Sequence, residues 1–194
     1  TVAMREMVRH VIQEHGAKTI NYISGPMSNP EAVERLLAFR EVMAENNLPV
    51  EEDRIYYGEF RRFDGHDAIE EYMKSGLPLP DAFICANDAM ALTAISTLEK
   101  YGFCIPLDVI VTGFDYTYSA RNYCPALTTV KRPLSQMGAM ACGVILDLMR
   151  DKKPVYDKLE ASCVFTESCG CPAKDEVNSS EFKKNTHIKM ENTN

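Results

Sequence analysis

Two kinds of hydrophobic pattern alternate along the chain. In some stretches apolar residues recur three and four positions apart, which predicts amphipathic helices over residues 4–12, 30–46, 64–75, 89–100 and 134–148. Short apolar runs between them predict strands over residues 19–24, 54–57, 82–86, 109–114, 127–130 and 161–165. Strands that alternate with helices in this way predict an α/β fold, with parallel sheets covered by helices on both faces.

Punctuating residues support several of these boundaries. Asn29 before Pro30 is a typical N-cap followed by proline in the first helical turn. Gly16 and Gly76 follow helical patterns and are expected to end them. Residues from 173 onward lack apolar periodicity, so we expect a folded unit over residues 1–172 and a flexible tail or linker over 173–194.

Polar side chains follow two of the predicted strands directly. Asn87 and Asp88 come after the strand 82–86, and Asp115 comes after the strand 109–114. The carboxyl ends of parallel strands meet at one edge of a sheet, where open α/β proteins hold small ligands. The pattern therefore predicts a ligand crevice at this edge.

Each of these polar residues also has a structural interpretation. Asn87 and Asp88 could both cap the helix that starts at residue 89, and we favour capping for Asp88. For Asn87 we favour a ligand contact, because its amide offers two donors and an acceptor to a hydroxyl-rich molecule. No helical pattern follows Asp115, so a carboxylate that accepts ligand hydroxyls is favoured there over a solvated loop acid.

Three further residues are candidates on weaker grounds. Arg35 lies on the polar side of its predicted helix, where spacing alone favours a solvated surface arginine. Phe60 lies among charged loop residues and is either a stacking platform or a cover for the core edge. Arg132 follows the strand 127–130, near a point where the chain could cross between two lobes.

Composition narrows the class of protein. The 194 residues are 45% hydrophobic and 25% charged, as in ordinary globular domains, and the net charge of −7 argues against binding nucleic-acid phosphates directly. No apolar run approaches the ~20 residues of a membrane span. Seven scattered cysteines fit reduced thiols, so we expect a cytoplasmic protein without membrane partners.

The sequence offers little sign of a metal site, cofactor or catalytic motif. Cys163, Cys169 and Cys171 lack a second ligand pair at metal-site spacing, and the four histidines show no evident ligand spacing. Nucleophile elbows, phosphate-binding glycine loops and paired carboxylates are not found. We therefore expect no metal, no cofactor and no enzymatic activity, although an enzyme using Asp115 and a neighbour as acid and base is kept as an alternative.

An ordered series of motifs resembles the lactose/galactose-repressor family. The matching segments are 23–26 (Ile-Ser-Gly-Pro), 35–40 (Arg-Leu-Leu-Ala-Phe-Arg), 85–92 (Cys-Ala-Asn-Asp-Ala-Met-Ala-Leu), 105–109 (Ile-Pro-Leu-Asp-Val), 111–115 (Val-Thr-Gly-Phe-Asp), 125–130 (Pro-Ala-Leu-Thr-Thr-Val) and 137–138 (Met-Gly). The resemblance runs from about residue 2 to residue 171.

This resemblance implies a two-lobed effector domain like the periplasmic binding proteins, with a sugar- or nucleoside-like ligand held between the lobes. It implies ligand contacts at the positions of Arg35, Asn87, Asp115 and Arg132, and stacking at Phe60. It also implies a homodimer, and binding to DNA only through a region that this chain does not contain. The amino-terminal lobe of the family is expected to be largely missing, apart from the opening helix and the helix near residues 133–150.

Departures from the family pattern leave some alternatives open. Tyr116 stands where a second acid frequently follows Asp115, so the pattern of ligand hydroxyls is not fixed by the resemblance. The ending 167–171 (Glu-Ser-Cys-Gly-Cys) also resembles sensors fused to signalling modules such as diguanylate cyclases. The sequence therefore predicts a ligand sensor for a transcriptional regulator, with the sensor of a signalling protein as the alternative.

Overall fold

The computed structural model describes residues 1–154 and 156–172. Its helices are α1 (Val2–Gln13), α2 (Pro30–Glu45), α3 (Asp64–Ser75), α4 (Asp88–Lys100), α5 (Tyr118–Arg121) and α6 (Leu134–Leu148). Its strands are β1 (Ile20–Ser24), β2 (Ile55–Tyr57), β3 (Ala82–Cys85), β4 (Ile110–Thr112), β5 (Thr129–Lys131) and β6 (Ser162–Val164). Two 3-10 helices cover Glu52–Arg54 and Glu167–Cys169.

The main sheet is parallel and has the strand order β2-β1-β3-β4. Every residue of β1, β3 and β4 is buried, so helices cover both faces of the sheet, as the sequence predicted. The chain moves from β1 to β2 in one direction and from β3 to β4 in the other. With right-handed crossovers, this reversal puts the helices on opposite faces and opens a crevice at the carboxyl ends of β1 and β3.

The helix boundaries follow the local signals in the sequence. Asn29 caps α2, and its side-chain oxygen accepts a hydrogen bond from the Glu31 amide over 2.9 Å, with Pro30 in the first turn. The predicted helix over residues 64–75 is confirmed, and Gly76 ends it with φ of +72°, in the left-handed region that favours glycine. These signals are local, which is why they could be identified without the fold.

Three features differ from the sequence prediction or add to it. β5 pairs antiparallel with β6, so not every strand joins the parallel arrangement, although isolated bridges set Thr128 and Lys131 parallel beside the end of β4. The short helix α5 had no apolar periodicity to indicate it. None of the residues of α6 is buried, and large apolar side chains along it are exposed.

Two further sequence predictions concern the tail of the chain and membrane-spanning helices. The expected tail at 173–194 lies outside the described residues. Within the described ranges, the helices fall short of the length and apolarity that a membrane span requires.

Candidate functional site

The carboxyl ends of five strands meet at one edge of the fold. The residues that follow them are Gly25 after β1, Phe60 after β2, Asn87 after β3, Asp115 after β4 and Arg132 after β5. A cleft of about 950 Å³ opens beside this edge, and Glu31, Arg35, Phe114 and Arg132 are among its lining residues. The rest of its wall comes from α1, from further residues of α2, from Pro133 and α6, and from the segment 156–161. Phe60, Asn87 and Asp115 lie at the neighbouring edge and are not among the lining residues.

Arg35 is the buried cation of this edge. Its relative exposure is 4%, so the interpretation of a solvated surface arginine is wrong. Nη1 donates to the carbonyl of Ala86 at the end of β3 over 2.7 Å, and Nη2 donates to the Glu31 carboxylate. The guanidinium also lies over the ring of Phe114, with Cζ 3.8 Å from the ring centroid.

The guanidinium of Arg35 keeps unused donor capacity. Its Nε is buried and has no hydrogen-bond partner within residues 1–154 and 156–172. Burial lowers the pKa of Arg35, whereas the nearby carboxylates of Asp115 and Glu31 raise it. A buried donor without a partner is costly, so the burial of the Arg35 guanidinium is only partly compensated by its hydrogen bonds to Ala86 and Glu31.

Charges of opposite sign alternate across the cleft edge. Glu31 contacts Arg35 and lies 3.7 Å from Arg132, measured between its Oε1 and the arginine Nη2. Arg132 Nη1 in turn lies 3.6 Å from Asp115 Oδ1. The two basic and two acidic side chains form one connected group. Sequence reasoning missed Glu31, because a charged residue in the first turn of a helix is common.

Asp115 occupies a strained and partly desolvated position. Its φ is +121°, in the region that favours glycine, while its amide donates to the carbonyl of Val130 over 2.9 Å. Burial raises the pKa of Asp115, with Arg35 and Arg132 acting in the opposite direction and Asp88 adding to the rise. A carboxylate held this way is poised to gain from new hydrogen bonds.

The ring of Phe60 packs against Gly25 and lies near Arg35. Its ring covers Gly25 so closely that a Cβ at that glycine would lie 2.3 Å from ring carbons. Arg35 Cζ is 5.7 Å from the centroid of the same ring. The backbone of Phe60 has φ of +60°, and its carbonyl accepts from the Asn87 side chain over 3.1 Å.

Asn87 proves to be the N-cap of α4. Its Oδ1 accepts from the Met90 amide over 2.8 Å, and its extended backbone has the conformation that a cap requires. Because Nδ2 holds the carbonyl of Phe60, the side chain joins the helix start to the aromatic loop. Ligand contact by Asn87 stays a prediction, and its one remaining N–H is the donor available for it.

The prediction that Asp88 caps this helix was wrong. The helix begins at Asp88 itself, and the fully buried carboxylate accepts from Thr129 Oγ1 over 2.5 Å and from the Thr117 amide over 2.7 Å. Asp88 therefore joins α4 to β5 and to the loop after β4. It supports the polypeptide around Asp115 from within the core.

A second group of side chains lies away from the cleft. His10, His15, Cys169 and Cys171 place one side-chain nitrogen or sulfur each within 4.8 Å of one another. Sequence reasoning did not identify this group, because the fold brings the two ends of the described chain together. A local signal did exist, since four residues separate the two histidines and metal-site histidines are typically three to five residues apart.

Comparison with protein families gives one match that covers most of the chain. The model of the periplasmic binding protein-like domain matches residues 8–169. This range includes β1 through β6 and every candidate residue at the cleft edge.

Comparison with individual proteins gives similar results. The HTH-type transcriptional repressor PurR of Actinobacillus pleuropneumoniae serotype 3 (strain JL03) is 35% identical over 148 residues, which cover 76% of this chain and 44% of that protein. This chain therefore spans less than half the length of that relative. The PurR repressors of Histophilus somni (strain 129Pt) and Proteus mirabilis (strain HI4320) also match, at 33% and 34% identity. All three relatives are transcriptional repressors, which favours a regulator over the signalling-enzyme alternative.

Solved structures share the fold. A sugar-binding transcriptional regulator (LacI family) from Escherichia coli, complexed with phosphate, aligns with a TM-score of 0.78 and 25% identity over 89% of this chain and 61% of that one. The complex of the transcriptional regulator CelR with cellobiose aligns with a TM-score of 0.75 and 30% identity over 86% of this chain and 50% of that one.

Proposed function

This chain belongs to the periplasmic binding protein-like domain family, as a domain of the lactose/galactose-repressor type, and from that membership we propose that it senses a small effector for a transcriptional regulator. The sensor unit would span residues 1–172. Its output would be DNA binding by another part of the regulator, since the net charge of −7 suits no direct phosphate contact.

The observation that carries this proposal is the buried guanidinium of Arg35 at the edge of the cleft. Burying a charged group is costly unless hydrogen bonds compensate, and the Nε of Arg35 is left without a partner among the described residues. The negative charge of Asp115 interacts with Arg35. The Asp115 carboxylate offers hydrogen-bond acceptors, whereas the Arg35 guanidinium offers donors. A ligand that both accepts and donates hydrogen bonds would satisfy the two side chains together.

A sugar fits these requirements best. Two adjacent hydroxyls can donate to the Asp115 carboxylate, while ring or hydroxyl oxygens accept from Arg35 and Arg132. The aromatic face of Phe60 offers a surface for the apolar side of a sugar ring. Cellobiose in the related CelR complex supports this class of ligand, and a nucleoside is the second candidate because its ribose also carries two adjacent hydroxyls.

Binding would act on the regulator by a population shift. An effector changes the balance between two arrangements of a protein only as far as it binds one of them more tightly. Residues of α1 and α2, of α6 and of the segment 156–161 line the cleft. No residue of α6 is buried. We propose that the cleft closes between two lobes, that the regulator is a homodimer, and that the effector leaves unchanged, without catalysis.

The test is calorimetric titration of the protein in its natural length. We would titrate cellobiose, a panel of monosaccharides and a panel of nucleosides, after thermal-shift screening with the same compounds. The proposal expects one class of hydroxyl-rich compounds to raise the melting temperature and to be recovered unmodified.

Two outcomes would contradict the proposal. Chemical conversion of the bound compound would favour the enzyme alternative. If no compound of the three groups binds, the proposal of a hydroxyl-rich effector is wrong, although the chain still belongs to the family.

A further inference from the structure

The cluster of His10, His15, Cys169 and Cys171 lies where the start and the end of the described chain meet. His10 is in the last turn of α1, and His15 follows that helix by two residues. Cys169 closes the 3-10 helix Glu167–Cys169, and Cys171 lies two residues beyond it. Of the four side chains, Cys169 is buried and the other three are half-buried.

Three sulfur–nitrogen distances in this cluster are close to those around a tetrahedral ion, and all four ligand atoms lie within 4.8 Å of one another. Zinc bonds of about 2.3 Å to sulfur and about 2.1 Å to nitrogen place sulfur and nitrogen ligands about 3.5 Å apart, and two nitrogens slightly closer. Cys171 Sγ lies 3.4 Å from His10 Nε2 and 3.6 Å from His15 Nε2. Cys169 Sγ lies 3.7 Å from His10 Nε2, and the two Nε2 atoms are 3.0 Å apart.

The surrounding structure holds these side chains in place. Phe165 stacks on the ring of His10, with the centroids 3.6 Å apart. Gly170 turns the chain with φ of +96°, which brings the two flanking thiols to one side. The ring of His15 packs beside this turn, since its nearest atoms lie at ordinary contact distance, 3.7 Å, from the Cβ position of residue 170.

Simple alternatives explain the cluster less well. A disulfide between the two cysteines would not explain why the two histidines lie beside them. No disulfide joins any of the seven cysteines, all of which lie among the described residues. Cys163 is a half-buried thiol nearby that donates to the carbonyl of Ala3 over 3.2 Å. Cys169 also has a carbonyl acceptor, that of Thr166, at 3.2 Å, but of the two thiols only Cys169 belongs to the cluster with the histidines.

We propose that His10, His15, Cys169 and Cys171 bind one zinc ion that ties α1 to the end of the sensor domain. Two thiols would each release a proton and two neutral imidazoles would donate lone pairs, so the bound ion and its ligands carry no net charge. Four protein ligands close the coordination sphere, which is typical of structural rather than catalytic zinc. The ion would link His10 and Cys169, which are 159 positions apart in the sequence, and so stabilise the fold.

The test measures metal binding by the 194-residue chain. Zinc would be titrated in competition with a chromophoric chelator, and cobalt(II) would be titrated into chain from which metal has been removed. The parent is expected to bind one ion and, with cobalt, to show ligand-field absorption of tetrahedral intensity and a thiolate-to-metal charge-transfer band. Removing the zinc should lower the melting temperature.

Matched cysteine variants assign the ligands. Cys171→Ser should weaken zinc binding at least about tenfold and reduce the charge-transfer band, whereas Cys124→Ser, which changes an exposed thiol outside the cluster, should bind as the parent does. His15→Ala tests the nitrogen ligands in the same way. Circular dichroism of each variant without metal shows whether it still folds.

The parent titration keeps the proposal falsifiable even if a variant fails to fold. A cobalt complex of the parent without the charge-transfer band would overturn the thiolate ligands. Zinc binding that is equal in Cys171→Ser and Cys124→Ser would overturn the site.

Discussion

Arg35 and the carbonyl of Ala86 are joined by a buried hydrogen bond of 2.7 Å. The bond fixes a cation from α2 at the carboxyl end of β3, across 51 positions of sequence. Because Ala86 immediately precedes the N-cap of α4, Arg35 and the loop of Asn87 and Phe60 share one anchoring point. The edge at the carboxyl ends of the strands is therefore one connected assembly.

Replacing Arg35 by lysine should weaken effector binding by about 2 kcal/mol, because an ammonium group cannot keep the bonds to Ala86 and Glu31 while also reaching a ligand. Calorimetry on the protein in its natural length measures the loss. Arg40→Lys is the matched control, since Arg40 lies on the same helix but pairs with Glu52 at the surface. Equal affinities for the parent and both variants would remove Arg35 from the site.

Asp115→Asn should raise the melting temperature at neutral pH while it weakens effector binding. The pKa of Asp115 is raised in the folded protein, so the folded state holds this proton more tightly than the unfolded chain does. Its contribution to stability is fully present below the unfolded pKa of about 3.9 and is lost as pH rises through the folded pKa. Ionisation therefore costs stability at neutral pH, and asparagine avoids that cost.

Thermal melts from about pH 3 to about pH 7 check this prediction, because the advantage of the variant should narrow in acid, where Asp115 itself is protonated. Asp53→Asn removes an exposed carboxylate and controls for the change in net charge. A constant difference at all pH values would show that the ionisation of Asp115 is not its source.

Gly65→Ala should destabilise the fold by about 3 kcal/mol, because α3 and α4 cross in close contact at this glycine. A Cβ there would lie 1.9 Å from the main-chain oxygen of Met90 and 2.5 Å from Thr93 Oγ1. Gly143→Ala is the opposite case, since nothing lies within 4 Å of its Cβ position on α6. Chemical denaturation should show a neutral effect or a gain of up to about 1 kcal/mol for that variant.

Local patterns predicted most of the fold because they act within a few residues. The helix over 64–75 begins and ends as its apolar spacing and Gly76 indicated, and the cap at Asn29 was equally local. The antiparallel pairing of β5 with β6 could not be predicted in this way. It depends on a contact between Val130 and Cys163, which only the folded chain brings together.

The candidate site was predicted in part, for the same reason. Positions at strand ends identified Asn87 and Asp115, since a strand followed by a polar residue is visible in sequence. The burial of Arg35 was invisible, because it results from packing against Ala86 and Phe114 from distant segments. The prediction that Asp88 caps α4 was wrong because the helix begins at residue 88, one position before the predicted start, and Asn87 is its cap.

Gly25→Ala should weaken effector binding without any contact to the effector. A Cβ at residue 25 would lie 2.3 Å from carbons of the Phe60 ring, so the ring must move from its place beside Arg35. If the ring stacks on the ligand, its displacement should cost about 1 kcal/mol of affinity. Alanine itself is acceptable to this backbone, since Gly25 is not among the positive-φ glycines.

A double-mutant cycle separates this mechanism from general damage. In a Phe60→Ala background there is no ring to displace, so the further change Gly25→Ala should leave effector affinity nearly unchanged. The two single variants should then lose similar amounts of affinity, and their losses should not add. Additive losses in calorimetry would mean that Gly25 acts on the cleft by another route, and an unaltered affinity for Phe60→Ala would remove the aromatic ring from the binding surface.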